Sequence, residues 1–417
     1  MLIESSIYKI MTTDHPKITL IGVGGAGVNI LKAVGNVSKN STKQYWDTDS
    51  VSLENIGDQD HQKNLLGKQL VRGLGTGGDL EVGQKIWNQE QQNLLSSLDF
   101  PSVAILVFGL GGGTGGAIGN ALTESLVGSG VLVITLVTSP FSFEGKRKID
   151  NANNILKELD GLADLLINIP NQVLTKPELS GLSARESFSI INQWFCQTIQ
   201  SLIFLAEKHN LLSIDIASFK RFLTQGGIIT NVSFSLAQTH NQDSSEVVAK
   251  KIKDFPLFKP TMTAPDALLL YMASSESLSL EKISKIVAYW QKEYGSDCEI
   301  LIGASTKLGK PEQLFVTHIA VNYGNRTKNK SSTQILQKNH AKEISPILSM
   351  HWSRIDPENE QSSQKSQNQQ QEEFSFASKS MELGYFQNVP ETLVNGENLD
   401  LPTYLRRGLK IRTKPKS

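Results

Sequence analysis

The sequence predicts an α/β protein: a parallel-sheet domain, a long central helix, a second and smaller α/β domain, and a disordered C-terminal linker and tail peptide. Three observations predict it. Apolar runs of strand length (18–21, 103–108, 131–137 and 163–169) alternate with helical segments, as in a parallel sheet covered on both faces. Two of those runs are followed at once by glycine-rich loops. Between Glu186 and Lys208, the residues Phe188, Ile191, Phe195, Ile199, Leu202 and Ala206 recur at three- and four-residue steps, which predicts one long amphipathic helix.

Taken in order, residues 1–15 read as a loose leader. The strand Ile18–Ile21 leads into Gly22–Asn29, which alone is the G-x-G-x-x-G fingerprint of dinucleotide binding. Asp47 and Asp49 stand roughly twenty residues further on, where such a fold places an acid for a ribose hydroxyl. The strand 103–108 leads into Gly109–Gly119, where so few side chains remain that consecutive backbone N–H groups can turn inward on an anion. Helical spacing over Ala117–Val127 would add a helix N-terminus to that phosphate cradle. A dinucleotide fold has no use for a second loop of this kind, and no G-x-x-x-x-G-K-[ST] occurs. After the long helix, a second unit runs to about residue 324, with strands at 267–273, 298–303 and 313–321. Its helix at 278–294 turns Ile283, Ile286, Val287 and Trp290 inward.

At 417 residues the chain has room for two domains and appendages. Apolar residues make up 39%, below the usual share, which points to an unfolded portion. The 41 basic and 41 acidic residues cancel, so composition gives no case for nucleic acid as a partner. Cys196 and Cys298 lie far apart in apolar company and read as buried thiols in a reducing compartment. The seven histidines form no ligand-spaced pair, so no protein-bound metal is expected. Neither a signal peptide nor an apolar stretch of about 18 residues is present, and the expectation is a cytoplasmic protein.

Composition changes near Asn325. Residues 326–398 are rich in Gln, Ser, Asn, Lys and Glu, too polar to offset chain entropy, and read as a disordered linker reaching roughly 50 Å. Beyond it, 399–417 restores apolar anchors. Asp400 can cap a short helix with Pro402 in its first turn, and Leu401, Tyr404 and Leu405 then share one side, as a helix-in-groove ligand requires. Basic residues follow from Arg406 onward.

Together these motifs resemble the tubulin/FtsZ family over nearly the whole chain. The resemblance rests on both glycine loops, on Gly73–Gly83 as a third nucleotide loop, on Pro140–Lys148 as a ribose loop, on Leu166–Asn171, and on the tail 399–407. It implies a GTP-binding domain over 16–185, a central helix over 186–210, and a C-terminal domain with the catalytic loop over 211–325. It also implies a GTP/GDP site with Mg²⁺ as phosphate counter-ion. Gly25, Ala26 and Gly27 would meet phosphate through backbone groups, and Gly77 belongs to the third loop. Gly112, Gly113, Thr114 and Gly115 would wrap the outer phosphates. Glu144 would accept a ribose hydroxyl beside Lys148, where the family often has arginine, and Asn29 and Asn192 would read guanine.

In this family the nucleotide of one subunit is covered by an acidic loop of the next. The matching segment is Leu211–Lys220, where the family shows Asn, Asp and Asp at the positions of Ser213, Asp215 and Ser218. Asp215 is therefore the catalytic candidate. Ser218 is no base near neutral pH, so slow hydrolysis is expected, general-base contributions being worth about 10²–10⁴-fold. Further departures are Ala26 and Val28 in the first loop and Ala117 after the second. The resemblance implies a cytoskeletal GTPase that self-assembles head to tail at the midcell division ring. Through Asp400, Leu401, Pro402, Tyr404, Leu405 and Arg406 it would meet membrane-tethering proteins of the FtsA or ZipA type, touching membrane only indirectly. The alternative is a hydrolysis-deficient paralogue that copolymerises with or regulates a catalytic FtsZ.

Overall fold

The computed structural model describes residues 16–35, 41–54, 56, 61–176, 181–205, 211–274, 278–306 and 312–324, with the short pairs 393–394 and 397–398. The leader 1–15 and the tail 399–417 lie outside the described residues, as does the linker 326–398 apart from those two pairs. The chain divides into two units, 1–353 and 354–417. Both large sheets belong to the first.

The first sheet has six parallel strands in the order β3-β2-β1-β4-β5-β6. They are β1 (Ile18–Val23), β2 (Ser41–Asp47), β3 (His61–Leu65), β4 (Val103–Gly109), β5 (Leu132–Thr138) and β6 (Leu165–Asn168). The central strands read as continuous apolar runs because both faces are buried. Their side chains sort by parity: Val103, Ile105 and Val107 enter one core, and Ala104, Leu106 and Phe108 the other. Helices α1 (Gly24–Ala33), α2 (Ser50–Glu54), α3 (Lys68–Val71), α4 (Leu80–Ser96), α5 (Gly119–Gly128) and α6 (Lys146–Leu159) make the connections.

Helix α7 (Ala184–Leu205) carries the chain to the second sheet. Its first half is amphipathic, whereas Ser201, Leu202, Ile203, Phe204 and Leu205 are all buried. They contribute to a core that also takes Phe234, Leu269 and Ile319 from the second sheet, so this end of the helix has no solvent face. One finding departs from the periodicity argument: Phe188, placed on the apolar stripe, is 47% exposed.

Helix α8 (Ile216–Thr224) follows, and then a four-stranded mixed sheet in the order β7-β10-β8-β9. Its strands are β7 (Ile228–His240), β8 (Ala267–Ser274), β9 (Glu299–Ser305) and β10 (Gln313–Gly324). Strand β10 is antiparallel to both β7 and β8, while β8 and β9 run parallel. Helices α9 (Ser245–Lys253) and α10 (Leu280–Tyr294) pack on this sheet, α10 burying Ile283, Ile286 and Trp290. In the second unit, the described residues form one antiparallel pair, β11 (Leu393–Val394) with β12 (Glu397–Asn398).

Candidate nucleotide site

The site lies at the C-terminal ends of the central strands, where open α/β sheets bind ligands. Strands β1 and β4 are hydrogen-bonded neighbours, so the two glycine loops leave the sheet side by side. Gly24 turns the chain at φ +70°, and a Cβ there would stand 2.9 Å from Gly115 N of the other loop. A Cβ on Gly115 would stand 2.5 Å from Gly109 O. On α1, Gly27 allows the helix to ride on β4, since its Cβ would lie 2.1 Å from Val107 O. Backbone approaches this close leave amide groups as the wall where the two loops meet. The chain after Gly113 forms a π-helical turn over Thr114–Ile118 before α5 begins.

These loops open on a cavity of about 500 Å³. Gly25, Ala26, Gly112, Gly113, Thr114, Gly115, Glu144 and Lys148 line it. Gly27, Asn29, Gly77 and Asn192 are not among the lining residues. Gly27 is a packing glycine, Asn29 is exposed on α1, Gly77 sits at φ +62° in the loop before α4, and Asn192 is half-buried on α7. Asp215 lies outside the cavity, beyond the C-terminal end of α7.

Asp49, read from the sequence as a possible ribose acid, also lines the cavity, and other lining residues went unassigned in the sequence: Thr76 and Gly78 from the Gly73–Gly83 stretch, Thr138, Pro140 and Asn171. Thr76 and Asn171 fall within recognised motifs, which was the available signal. Three threonine hydroxyls converge at the cradle, Thr114 Oγ1 lying 2.7 Å from Thr48 Oγ1 and 3.3 Å from Thr76 Oγ1. Thr138 Oγ1 donates to Asn171 Oδ1 at 2.8 Å.

Glu144 is held at both carboxylate oxygens. Phe141 N donates to Oε1 at 2.8 Å and Lys148 Nζ to Oε2 at 3.1 Å. Beside it, Phe143 is 75% exposed and stacks on Phe141 at 4.7 Å, while Phe188 meets Phe141 edge-on at 6.0 Å. Behind the first loop, Asp47 is buried and accepts from Thr48 N at 2.7 Å and from Ser52 Oγ. Burial nonetheless pushes its carboxyl above the usual range.

Asp215 caps α8. Its Oδ1 accepts from Ser218 N at 2.7 Å and its Oδ2 from Ser218 Oγ at 2.9 Å, and these bonds hold its carboxyl below the usual range. A larger groove of about 1270 Å³ lies beside α9 and α10. Its walls mix Asp243, Glu246 and Glu281 with Lys282, Lys285 and Lys292, so it favours no one charge. Among the described residues, no group of three or more His, Cys, Asp or Glu side chains could hold a metal ion, and no helix is long and apolar enough to cross a membrane.

Comparison with known proteins places this geometry. Residues 17–177 match the Tubulin/FtsZ family, GTPase domain. The chain is 26% identical over 302 residues to Cell division protein FtsZ 1 of Pyrococcus furiosus, covering 72% of this chain and 79% of the relative. It is 27% identical over 335 residues to Cell division protein FtsZ of Buchnera aphidicola from Acyrthosiphon pisum, covering 78% and 85%. A mutant FtsZ of M. jannaschii superposes with a TM-score of 0.70 at 23% identity, covering 78% of this chain and 96% of that one. An empty FtsZ dimer of the same organism gives 0.68 at 23% identity, covering 79% and 94%. At that identity the structural likeness establishes the fold alone.

Proposed function

Residues 17–177 match the Tubulin/FtsZ family, GTPase domain, and from that premise we propose that this chain is a member of the family that binds GTP, assembles head to tail and organises the division ring at the septum. The observation that carries the reading is the pairing of β1 with β4, which brings two glycine loops to one backbone-walled cavity. Such a wall suits phosphate, which accepts hydrogen bonds from many N–H groups at once. A Mg²⁺ ion would ride on the nucleotide's own oxygens and water.

Each remaining residue has a role in this reading. Gly25 and Ala26 turn amides toward the inner phosphates while Gly27 seats α1 on β4 behind them, and Gly112, Gly113, Thr114 and Gly115 turn theirs toward the outer ones. Glu144, steadied by Lys148, accepts a ribose hydroxyl. Asn29 and Asn192 read the guanine edge, and the exposed rings of Phe143 and Phe188 offer flat apolar faces to a base. Gly77 keeps the third loop in its left-handed turn.

The cavity and the Asp215 loop occupy different surfaces, so contact between them is heterologous and subunits add without closing by symmetry. Asp215 of one subunit would then orient water on the nucleotide of its neighbour. Phosphoryl transfer depends mainly on positioning and charge stabilisation, so one acid supports slow turnover.

A specific observation favours the second reading, a hydrolysis-deficient paralogue that copolymerises with or regulates a catalytic FtsZ. Ser218 replaces a carboxylate and also donates to Asp215, drawing on the acid that remains. Sedimentation with GTP and with a non-hydrolysable analogue, alongside phosphate release, separates the two. Polymers in both nucleotides with slow release support the first reading; polymers without release support the second. Tighter binding of NAD than of GTP would overturn both.

A further inference from the structure

The loop Gly73–Asp79 forms a strap at the mouth of the cavity, and its backbone is unusual. Gly73, Gly75, Gly77 and Gly78 all have positive φ, between 62° and 78°. A Cβ at Gly77 or Gly78 would meet nothing within 4 Å, so packing does not wedge these two residues in place. Glycine in open space has the widest backbone freedom of any residue, and something else must restrain it.

Gly75 N donates to Thr48 O at 3.1 Å and Asp79 N to Thr76 O at 3.1 Å, and at Gly78 the restraint comes from α6. Arg147 Nη2 donates to Gly78 O at 3.2 Å, and Asn151 Nδ2 donates to the same oxygen at 3.4 Å. Arg147 Nη2 also lies 3.7 Å from Asp79 Oδ2. The other oxygen of Asp79 caps α4, accepting from Glu81 N at 2.8 Å. One guanidinium thus grips the strap at the point where it becomes a helix. The inner side of the strap lines the cavity through Thr76 and Gly78, while Arg147 does not line it. The strap also presses on Gly113, whose Cβ would lie 2.3 Å from Asp79 O and 2.5 Å from Thr76 Oγ1.

We propose that Arg147, assisted by Asn151, is a positioning residue that holds this strap closed over the outer end of the bound nucleotide and so sets how long a triphosphate stays. The inference rests on the nucleotide reading above. The strap abuts the part of the cradle assigned to the outer phosphates, so a slack strap uncovers the terminal phosphate first. A diphosphate, which lacks that group, depends on it less. Arg147 acts through the Gly78 carbonyl and not through its charge. Both contacts come from the one nitrogen Nη2, whose N–H directions the planar guanidinium fixes, whereas an ammonium on its flexible stem is a freely turning point of charge.

The test uses the full chain with fluorescent GTP and GDP analogues and stopped-flow release. Wild-type binding of neither nucleotide would overturn the nucleotide reading itself, before any variant is compared. Given binding, Arg147→Ala should speed release of the GTP analogue about tenfold, the effect of losing one hydrogen bond. Release of the GDP analogue should change by less than about threefold, well under that tenfold step. Arg147→Lys should behave like Arg147→Ala, and Asn151→Ala should shift release in the same direction by less. Retention by Arg147→Lys would assign the effect to charge and overturn the proposal. Equal acceleration of both nucleotides would do the same, as would a lowered melting temperature of the nucleotide-free variant, which would make Arg147 merely structural.

Discussion

Thr48 Oγ1 stands 2.7 Å from Thr114 Oγ1, joining the end of β2 to the glycine cradle that follows β4. The two residues are 66 positions apart in sequence, and β1 lies between their strands in the sheet. A hydroxyl pair thus spans the floor of the site from one side to the other. The third hydroxyl, on Thr76, brings in the strap. The end of β2, the cradle and the strap therefore meet at Thr114.

Gly113→Val should weaken GTP binding. Its Cβ would fall 2.3 Å from Asp79 O and 2.7 Å from Asp79 C, both backbone atoms that cannot swing aside. Overpacking of this kind costs about 1–3 kcal/mol, or roughly 10–100-fold in affinity when borne by the bound state. Fluorescent-nucleotide titration measures it. Unchanged affinity would show that the cradle is elsewhere.

Ser218→Asp should raise phosphate release, within the roughly 10²–10⁴-fold range of general-base effects. Asp215→Ala should remove what turnover the wild type has while leaving nucleotide affinity intact. Because Asp215 also caps α8, the second change should cost about 1 kcal/mol of stability, visible as a lower melting temperature. A fast wild-type rate that survives Asp215→Ala would place the chemistry on another residue.

Asp47→Asn should stabilise the protein at neutral pH. Burial raises the Asp47 carboxyl in the folded state, so the folded chain holds its proton more tightly than the unfolded chain does. Stability contributed by this group is therefore present in acid and falls as pH rises from the ordinary carboxylate value through the raised one. An amide can keep its oxygen on Thr48 N and donate from its nitrogen to Ser52 Oγ, without the buried charge. Melting temperatures of the two proteins should differ at pH 7 and converge in acid; a variant less stable at pH 7 would contradict this account.

His318 should make the protein acid-labile. The ring is fully buried, meets Tyr294 OH at 3.1 Å through Nε2, and is pushed down to about 3 by burial. Unfolded chains take up the proton near the ordinary value of 6.5, and the folded chain resists it. Stability is accordingly full above that value and falls with pH by at most about 1.4 kcal/mol per unit from this residue. Denaturant titrations between pH 7 and pH 4 measure the slope. His318→Phe should flatten it; an unaltered slope would assign the lability elsewhere.

Deleting 399–417, which lies outside the described residues, should leave GTP binding and assembly in solution intact while filaments lose recruitment to the membrane. The apolar triplet Leu401, Tyr404 and Leu405 would seat on a tethering protein. Fluorescence microscopy of the truncated protein reads the outcome, and unchanged midcell localisation would dismiss the anchoring role.

The parallel sheet was legible where strands are buried on both faces, as at β1, β4 and β5. It was not legible at β2, whose sequence Ser41–Asp47 mixes polar and aromatic residues. The reason lies in its partners. Lys43 is buried because its ammonium donates to the carbonyls of Val34 and Gly35 at the end of α1, and Gln44 Oε1 accepts from Trp46 Nε1 at 2.9 Å. Such pairings come from the fold and leave no periodic trace. Phe188 shows the converse, since its spacing fits a buried stripe although its end of α7 emerges beside the rim. Backbone-lined positions of the site could be read because glycine itself is the signal. Thr48 could not, because a hydroxyl reaching across two strands resembles any other threonine.

The close approach of the glycine loops bears on how such a chain can change over generations. Gly24 faces Gly115, Gly27 faces Val107, and Gly83 would carry a Cβ 2.4 Å from Gly113 O. None of these can gain so much as a methyl group unless an opposing backbone moves as well. Single substitutions there are therefore dead ends, and viable drift requires changes made in concert. Leu74 on the strap, 85% exposed, is under no such constraint. Lineages descending from this chain should diverge freely at positions like Leu74 while inheriting the cradle whole.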